Sequence, residues 1–149
     1  MRIAADFRIL FPESSNSRIE PIHGRRVALE GFHFVGYQYS LPWMGGVFEK
    51  PEEEIAADLA EIGGHLDSRT VLVTHSPAHG ILDPGAGPHK IGSRSLRDLL
   101  DRNTVLAHIH GHSHSGFGRN GHHFNVASAL RKRAMLIDLE TMEHSIIQD

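Results

Sequence analysis

Residues 108–114 read His-Ile-His-Gly-His-Ser-His, four imidazoles within seven positions of a chain that contains no cysteine. Neutral imidazole is a good ligand for divalent transition metals, and without thiolates the available chemistry is that of nitrogen and oxygen donors. His112 and His114 stand two apart, so in extended backbone both side chains point the same way and can face one cavity. Gly111 lets the backbone turn closely where a side chain would crowd incoming ligands. A further histidine, His75, ends the apolar run "TVLVT" and is followed by Ser76 and Pro77. The same spacing also suits a solvated Gly/Ser surface turn, and spacing alone does not separate the two readings.

These residues need a frame that brings two distant stretches together. "TVLVT" (70–74) and "TVLAHI" (104–109) are short, β-rich and apolar, as expected of buried strands in a parallel sheet. Each runs straight into its histidines, and in open α/β sheets ligands gather outside the carboxyl ends of the strands. "RVALEGFHFVGYQYS" (26–40) alternates apolar and polar residues around Glu30-Gly31, which predicts two strands and a tight turn. "LPWMGGVF" (41–48) has Pro and paired Gly and reads as a loop, with Trp43 packed or partly exposed.

"PEEEIAADLAEIGGHL" (51–66) opens with Pro and three Glu and sets Ile55, Leu59, Ile62 and Leu66 on one face, an amphipathic helix weakened at Gly63-Gly64. "SRSLRDLLD" (93–101) is a second, shorter helix with Ser93 as its cap. "HHFNVAS" and "RAMLIDLE" read as later strands. The alternation of strand and helix makes this an α/β domain.

Composition narrows the functional classes. With 149 residues the chain fits one domain, and 40% apolar with 22% charged residues marks it as globular. A net charge of -3 argues against general affinity for nucleic acid or anionic membranes, since both require excess positive charge. No apolar run reaches membrane-spanning length, and "MRIAADFRILFPES" lacks a leader's apolar stretch, so the expectation is a soluble cytoplasmic protein. His23, His33, His65, His89, His122, His123 and His144 read as surface or structural residues. His79 shares a loop with His75. Asp83, in "LDPG", reads as a turn residue, and Asn125 as one that caps or turns the chain.

Together, "VLVTHSPAHGILD", "GSRSLRDLL" and "HIHGHSHSGFG" resemble the second half of a calcineurin-like metallophosphoesterase, nearest to the small-phosphodiesterase branch. That family pattern is a strand ending in Thr-His with Ser/Pro, then one ending in Gly-His-x-His, here Thr74-His75-Ser76-Pro77 and Gly111-His112-Ser113-His114. "HGRRVALEGFHFVGY" (23–37) is similar to the strand pair between the family's halves, and "FNVAS" (124–128) to its late Asn-containing strand end. The resemblance covers about residues 20 to 140.

The resemblance implies that residues 1–149 form a single, N-terminally incomplete domain, the C-terminal half of a four-layer α/β/β/α sandwich. It implies a two-metal site in which His75 and His112 bind one metal and His114 the other, with Mn, Fe or Zn suited to such donors. Two metals of this kind polarise a phosphoester and hold an attacking hydroxide. The family's Asp-x-His, Gly-Asp-x-x-Asp and Gly-Asn-His-Asp/Glu motifs are absent. Their nearest trace is Asp6 in "MRIAADFR", where Arg8 stands in place of the His.

Two classes of function follow. One is a metal-dependent phosphoesterase, weak or inactive alone and completed by residues elsewhere. The other is a scaffold or binding protein that retains the fold without the chemistry. A histidine-rich metal binder is a third reading. Apolar strands without the first half's elements predict self-association or a partner that supplies the missing half.

Overall fold

The computed structural model describes residues 2–5, 21–86 and 88–149. Strands β1 (Arg2–Ala5), β2 (Arg26–Leu29) and β3 (Phe32–Tyr37) precede helix α1 (Glu52–Gly63) and β4 (Thr70–Thr74). Helix α2 (Arg94–Arg102), β5 (Ala107–His110), β6 (Gly118–Asn120), β7 (His123–Asn125), β8 (Arg133–Asp138) and β9 (His144–Gln148) complete the order.

The strands form a six-stranded sheet in the order β2-β3-β4-β5-β7-β6 and a three-stranded sheet in the order β1-β8-β9. In the larger sheet β3, β4, β5 and β7 run parallel, while β2 and β6 are antiparallel flanks. This is the α/β class expected. The β2–β3 hairpin turns at Glu30 (φ 48) and Gly31 (φ 83), two successive left-handed residues of the kind a tight hairpin requires.

Each face of the larger sheet carries its own core. On one face Val35, Tyr37 and Leu72 pack against Ile55, Leu59 and Ile62 of α1 and against Leu96, Leu99 and Leu100 of α2. On the other, Val71, Ala107, Ile109 and Phe124 meet Met135 and Ile137 of the smaller sheet and Leu139 just beyond it. The layers are therefore helices, large sheet, small sheet. This explains why β4 and β5 read as apolar without alternation. Their cover comes from within the chain, and the large exposed apolar side chains lie elsewhere, at Leu29, in the loop bearing Trp43, Met44, Val47 and Phe48, at Leu130, and at Ile146 and Ile147.

Helix α1 stops at Gly63, three residues before Leu66, because the Gly63-Gly64 pair gives the helix little reason to continue. Leu66 still packs on the core from outside the helix. Ser93 caps α2 by accepting from Leu96 N at 3.1 Å. Its hydroxyl donates to Glu52 Oε1 at 2.6 Å, and the same carboxylate accepts from Ser95 N at 2.8 Å. The first turn of α1 thus supplies the anion at the positive end of α2, which locks the helix pair. Among the described residues no helix is long and apolar enough to cross a membrane.

Candidate metal centre

Parallel pairing sets Thr74 opposite His110, so β4 and β5 end level with each other. His75 leaves the end of β4 and its N–H donates to Tyr37 O at 3.0 Å; Gly111 N in turn donates to His75 O at 3.3 Å. The imidazoles of His75 and His112 consequently meet edge to face, with ring centroids 4.8 Å apart. His114 opens into the same cavity of about 240 Å³, whose far wall is Val126 to Ala129. The three histidines singled out in the sequence converge.

The local reason differs from the one anticipated. His112 and His114 are not in extended backbone, because β5 ends at His110 and His112 itself is left-handed at φ 62. The tight turn falls on His112 and not on Gly111. A β-carbon in that region costs on the order of 1 kcal/mol or more and persists only where the surroundings over-determine it. Here they do. Ser113 Oγ donates to Pro84 O at 2.6 Å, and Asn125 Nδ2 donates to Ser113 O at 2.8 Å. Arg133 donates to His114 O at 2.8 Å.

Asn125, fully buried, also donates to Leu82 O at 3.1 Å and accepts from Ala127 N at 3.0 Å. It ties three loops together, which matches its reading as a turn-holding residue. Asp83 is likewise a buried turn residue, accepting from Gly80 N at 2.9 Å and pairing with Lys90 at 3.1 Å.

Electrostatics favour the ligating form of the imidazoles. Desolvation in the cleft lowers the pKa of His75, and the neighbouring charge of His114 lowers it further. Desolvation likewise lowers His112, helped by His75 and His114 and opposed by Glu49. Both rings are held toward the neutral state that binds metal. Glu49, which the sequence reading passed over, is the carboxylate felt at His112. Its oxygens accept from the N–H groups of Trp43, Met44 and Gly45, each at 2.9 Å. Those amides, with Met44 contributing most, hold its pKa down to about 2. The carboxylate is engaged by its own loop. Among the described residues no group of three or more His, Cys, Asp or Glu side chains is arranged around a single ion. Asp6 and Arg8 lie outside the described residues.

Behind the centre, on the helix face, lies a second histidine cluster. Thr74 Oγ1 donates to Ser76 O at 2.6 Å and so accepts from His108 Nε2 at 2.9 Å. That leaves His108 Nδ1 as the acceptor facing His123 Nδ1 at 3.2 Å. His108 is thus a buried strand residue, as expected, but one that belongs to a directed hydrogen-bond chain ending beside His75. His123, read as a surface or structural residue, is a structural member of that chain. His110 is also fully buried, stacked on His108 at 4.9 Å, with Nε2 lacking a protein partner.

No protein-family model and no curated protein sequence matches this chain. Solved structures do. One crystal structure superposes with a TM-score of 0.67 at 18% identity, covering 85% of this chain and 53% of its own. The crystal structure of TT1561 from Thermus thermophilus superposes with a TM-score of 0.60 at 13% identity, covering 85% of this chain and 58% of its own. At such identities the likeness establishes a shared fold. The chain spans a little over half the length of each of these structures.

Proposed function

We propose that this chain carries the C-terminal ligand set of a metal-dependent phosphoesterase of calcineurin-like type, with His75 and His112 on one metal and His114 on a second. The observation that supports this most is the edge-to-face meeting of His75 and His112 at the ends of adjacent parallel strands. The donor set fits a divalent transition ion, since the imidazoles are held neutral and no thiolate is present. When bound, Mn, Fe or Zn would supply Lewis-acid polarisation of a phosphoester and an activated nucleophile. The chain's own part is to orient the imidazoles: the Tyr37 carbonyl fixes the His75 backbone, and Ser113, Asn125 and Arg133 fix the turn bearing His112 and His114. A cysteine-free chain suits a reducing compartment, and we place it in the cytoplasm.

A second reading is a catalytically inactive scaffold with the same fold. It draws on the engagement of Glu49 by its own loop, which leaves no free carboxylate beside His112 among the described residues to bridge two metals. Calorimetric titration with Mn and with Zn, followed by hydrolysis of bis-p-nitrophenyl phosphate, separates the two. The phosphoesterase reading expects metal binding that depends on His75 and His112, and slow turnover that His112→Ala abolishes. Metal binding without any turnover, under conditions where the fold is intact, would favour the scaffold. Robust turnover would mean that a carboxylate outside this set completes the site, with Asp6 and Asp83 the first to test.

A further inference from the structure

His112 and His114 also border a second cleft, of about 320 Å³. Trp43 and Arg131 line it together with Pro84, Gly85 and Ile91. The indole is 68% exposed, an unusual disposition for the chain's single tryptophan. It is not presented on a slack loop. Besides the three amides held by Glu49, Ser40 N donates to Phe48 O at 3.0 Å and Lys50 N to Ser40 O at 2.9 Å, closing the loop at its base. An exposed ring on a braced backbone loses little freedom when a flat partner stacks on it. Arg131, also exposed, lines the same cleft with a guanidinium suited to an anionic phosphate. None of the described Asp and Glu residues is among those lining the cleft, and the neighbouring Glu49 carboxylate is taken up by the Trp43, Met44 and Gly45 amides.

We propose that Trp43 and Arg131 form a recognition subsite for a phosphoester bearing a planar aromatic substituent, the ring stacking on Trp43 while Arg131 holds the phosphate oxygens. This rests on the phosphoesterase reading for the direction in which the phosphate points, toward His112 and His114. Base-on-aromatic stacking alters affinity by roughly five-fold to a hundred-fold when the aromatic residue is truncated to alanine.

The single tryptophan makes the test direct. Adenosine 5′-monophosphate should quench the intrinsic fluorescence of the intact chain, whereas inorganic phosphate should compete with it without quenching. By calorimetry, Trp43→Ala should lower the ratio of adenosine monophosphate to phosphate affinity by roughly ten-fold, and Trp43→Phe should retain most of it. Arg131→Gln should weaken both ligands together. Equal affinity for adenosine monophosphate and ribose 5-phosphate, with fluorescence unchanged, would overturn the subsite, as would no binding of adenosine monophosphate at all. The metal titration fails or succeeds independently. Quenching without His75-dependent metal binding would keep the subsite and remove the phosphoesterase reading. Metal binding without quenching would do the reverse.

Discussion

His75 and His112 lie 37 residues apart in sequence, yet their rings meet at 4.8 Å because β4 and β5 are paired in parallel and end at the same level. Desolvation depresses both imidazoles. A depressed histidine stays neutral to lower pH than the free side chain, so protons compete with metal only below about 6.5. Zn affinity should therefore be flat from pH 8 to 7 and fall below the ordinary histidine value. His75→Ala and His112→Ala should each weaken it strongly, and His144→Ala should not. Equal loss in all three variants by calorimetry would mean nonspecific histidine binding.

The buried cluster behind the site should make folding acid-sensitive. Burial holds His110 down to about 4 and His123 likewise to about 4, and pushes His108 well below its usual value. Unfolded, these groups titrate near 6.5, so between roughly 4 and 6.5 the unfolded chain binds more protons. Stability is then fully present above the unfolded value and is lost as pH falls, by up to about 1.4 kcal/mol per pH unit for each group. Denaturant midpoints at pH 7 and pH 5 should differ clearly, and His110→Gln should shrink the difference. A midpoint independent of pH would count against the assignment.

Thr74 is the hinge of the histidine chain, with its hydroxyl 2.9 Å from His108 Nε2 and 2.6 Å from Ser76 O. Thr74→Val keeps the shape and strands a buried donor, at a cost of about 1–3 kcal/mol. Chemical denaturation measures it. A neutral result would show that water replaces the hydroxyl.

Asn125 donates to two carbonyls, and no acceptor-only side chain can do so. Asn125→Asp should destabilise by at least about 2 kcal/mol and weaken metal binding, because the turn carrying His112 loses its anchor. Retained Zn affinity in a folded variant would show that Ser113 and Arg133 suffice.

The outermost strand invites association. β9 is exposed along its length, and Ile146 and Ile147 are half exposed on opposite faces of an edge strand. Light scattering after size exclusion should find species larger than a monomer, and Ile147→Lys should reduce them. A cooperatively unfolding monomer would mean that the layers within this chain are enough.

What the sequence determined by itself was everything local or periodic. Strand β4 is legible residue by residue because both faces are buried and the run is apolar throughout. Helix α1 follows from its apolar face and acidic start, and α2 from Ser93. The pairing of His75 with His112 was legible too, since parallel strands deliver their ends to one edge. The short β6 and the edge strand β9 were missed because both lie largely at the surface, where no apolar pattern marks them. Only the tertiary structure decided that His112 is the left-handed residue, since long-range bonds from Asn125 and Arg133 impose that conformation. It likewise decided that Glu49 belongs to the Trp43 loop and that His108, His123 and Thr74 form a directed chain. Such relations depend on which groups meet after packing, and a side chain's spacing along the backbone carries no record of that.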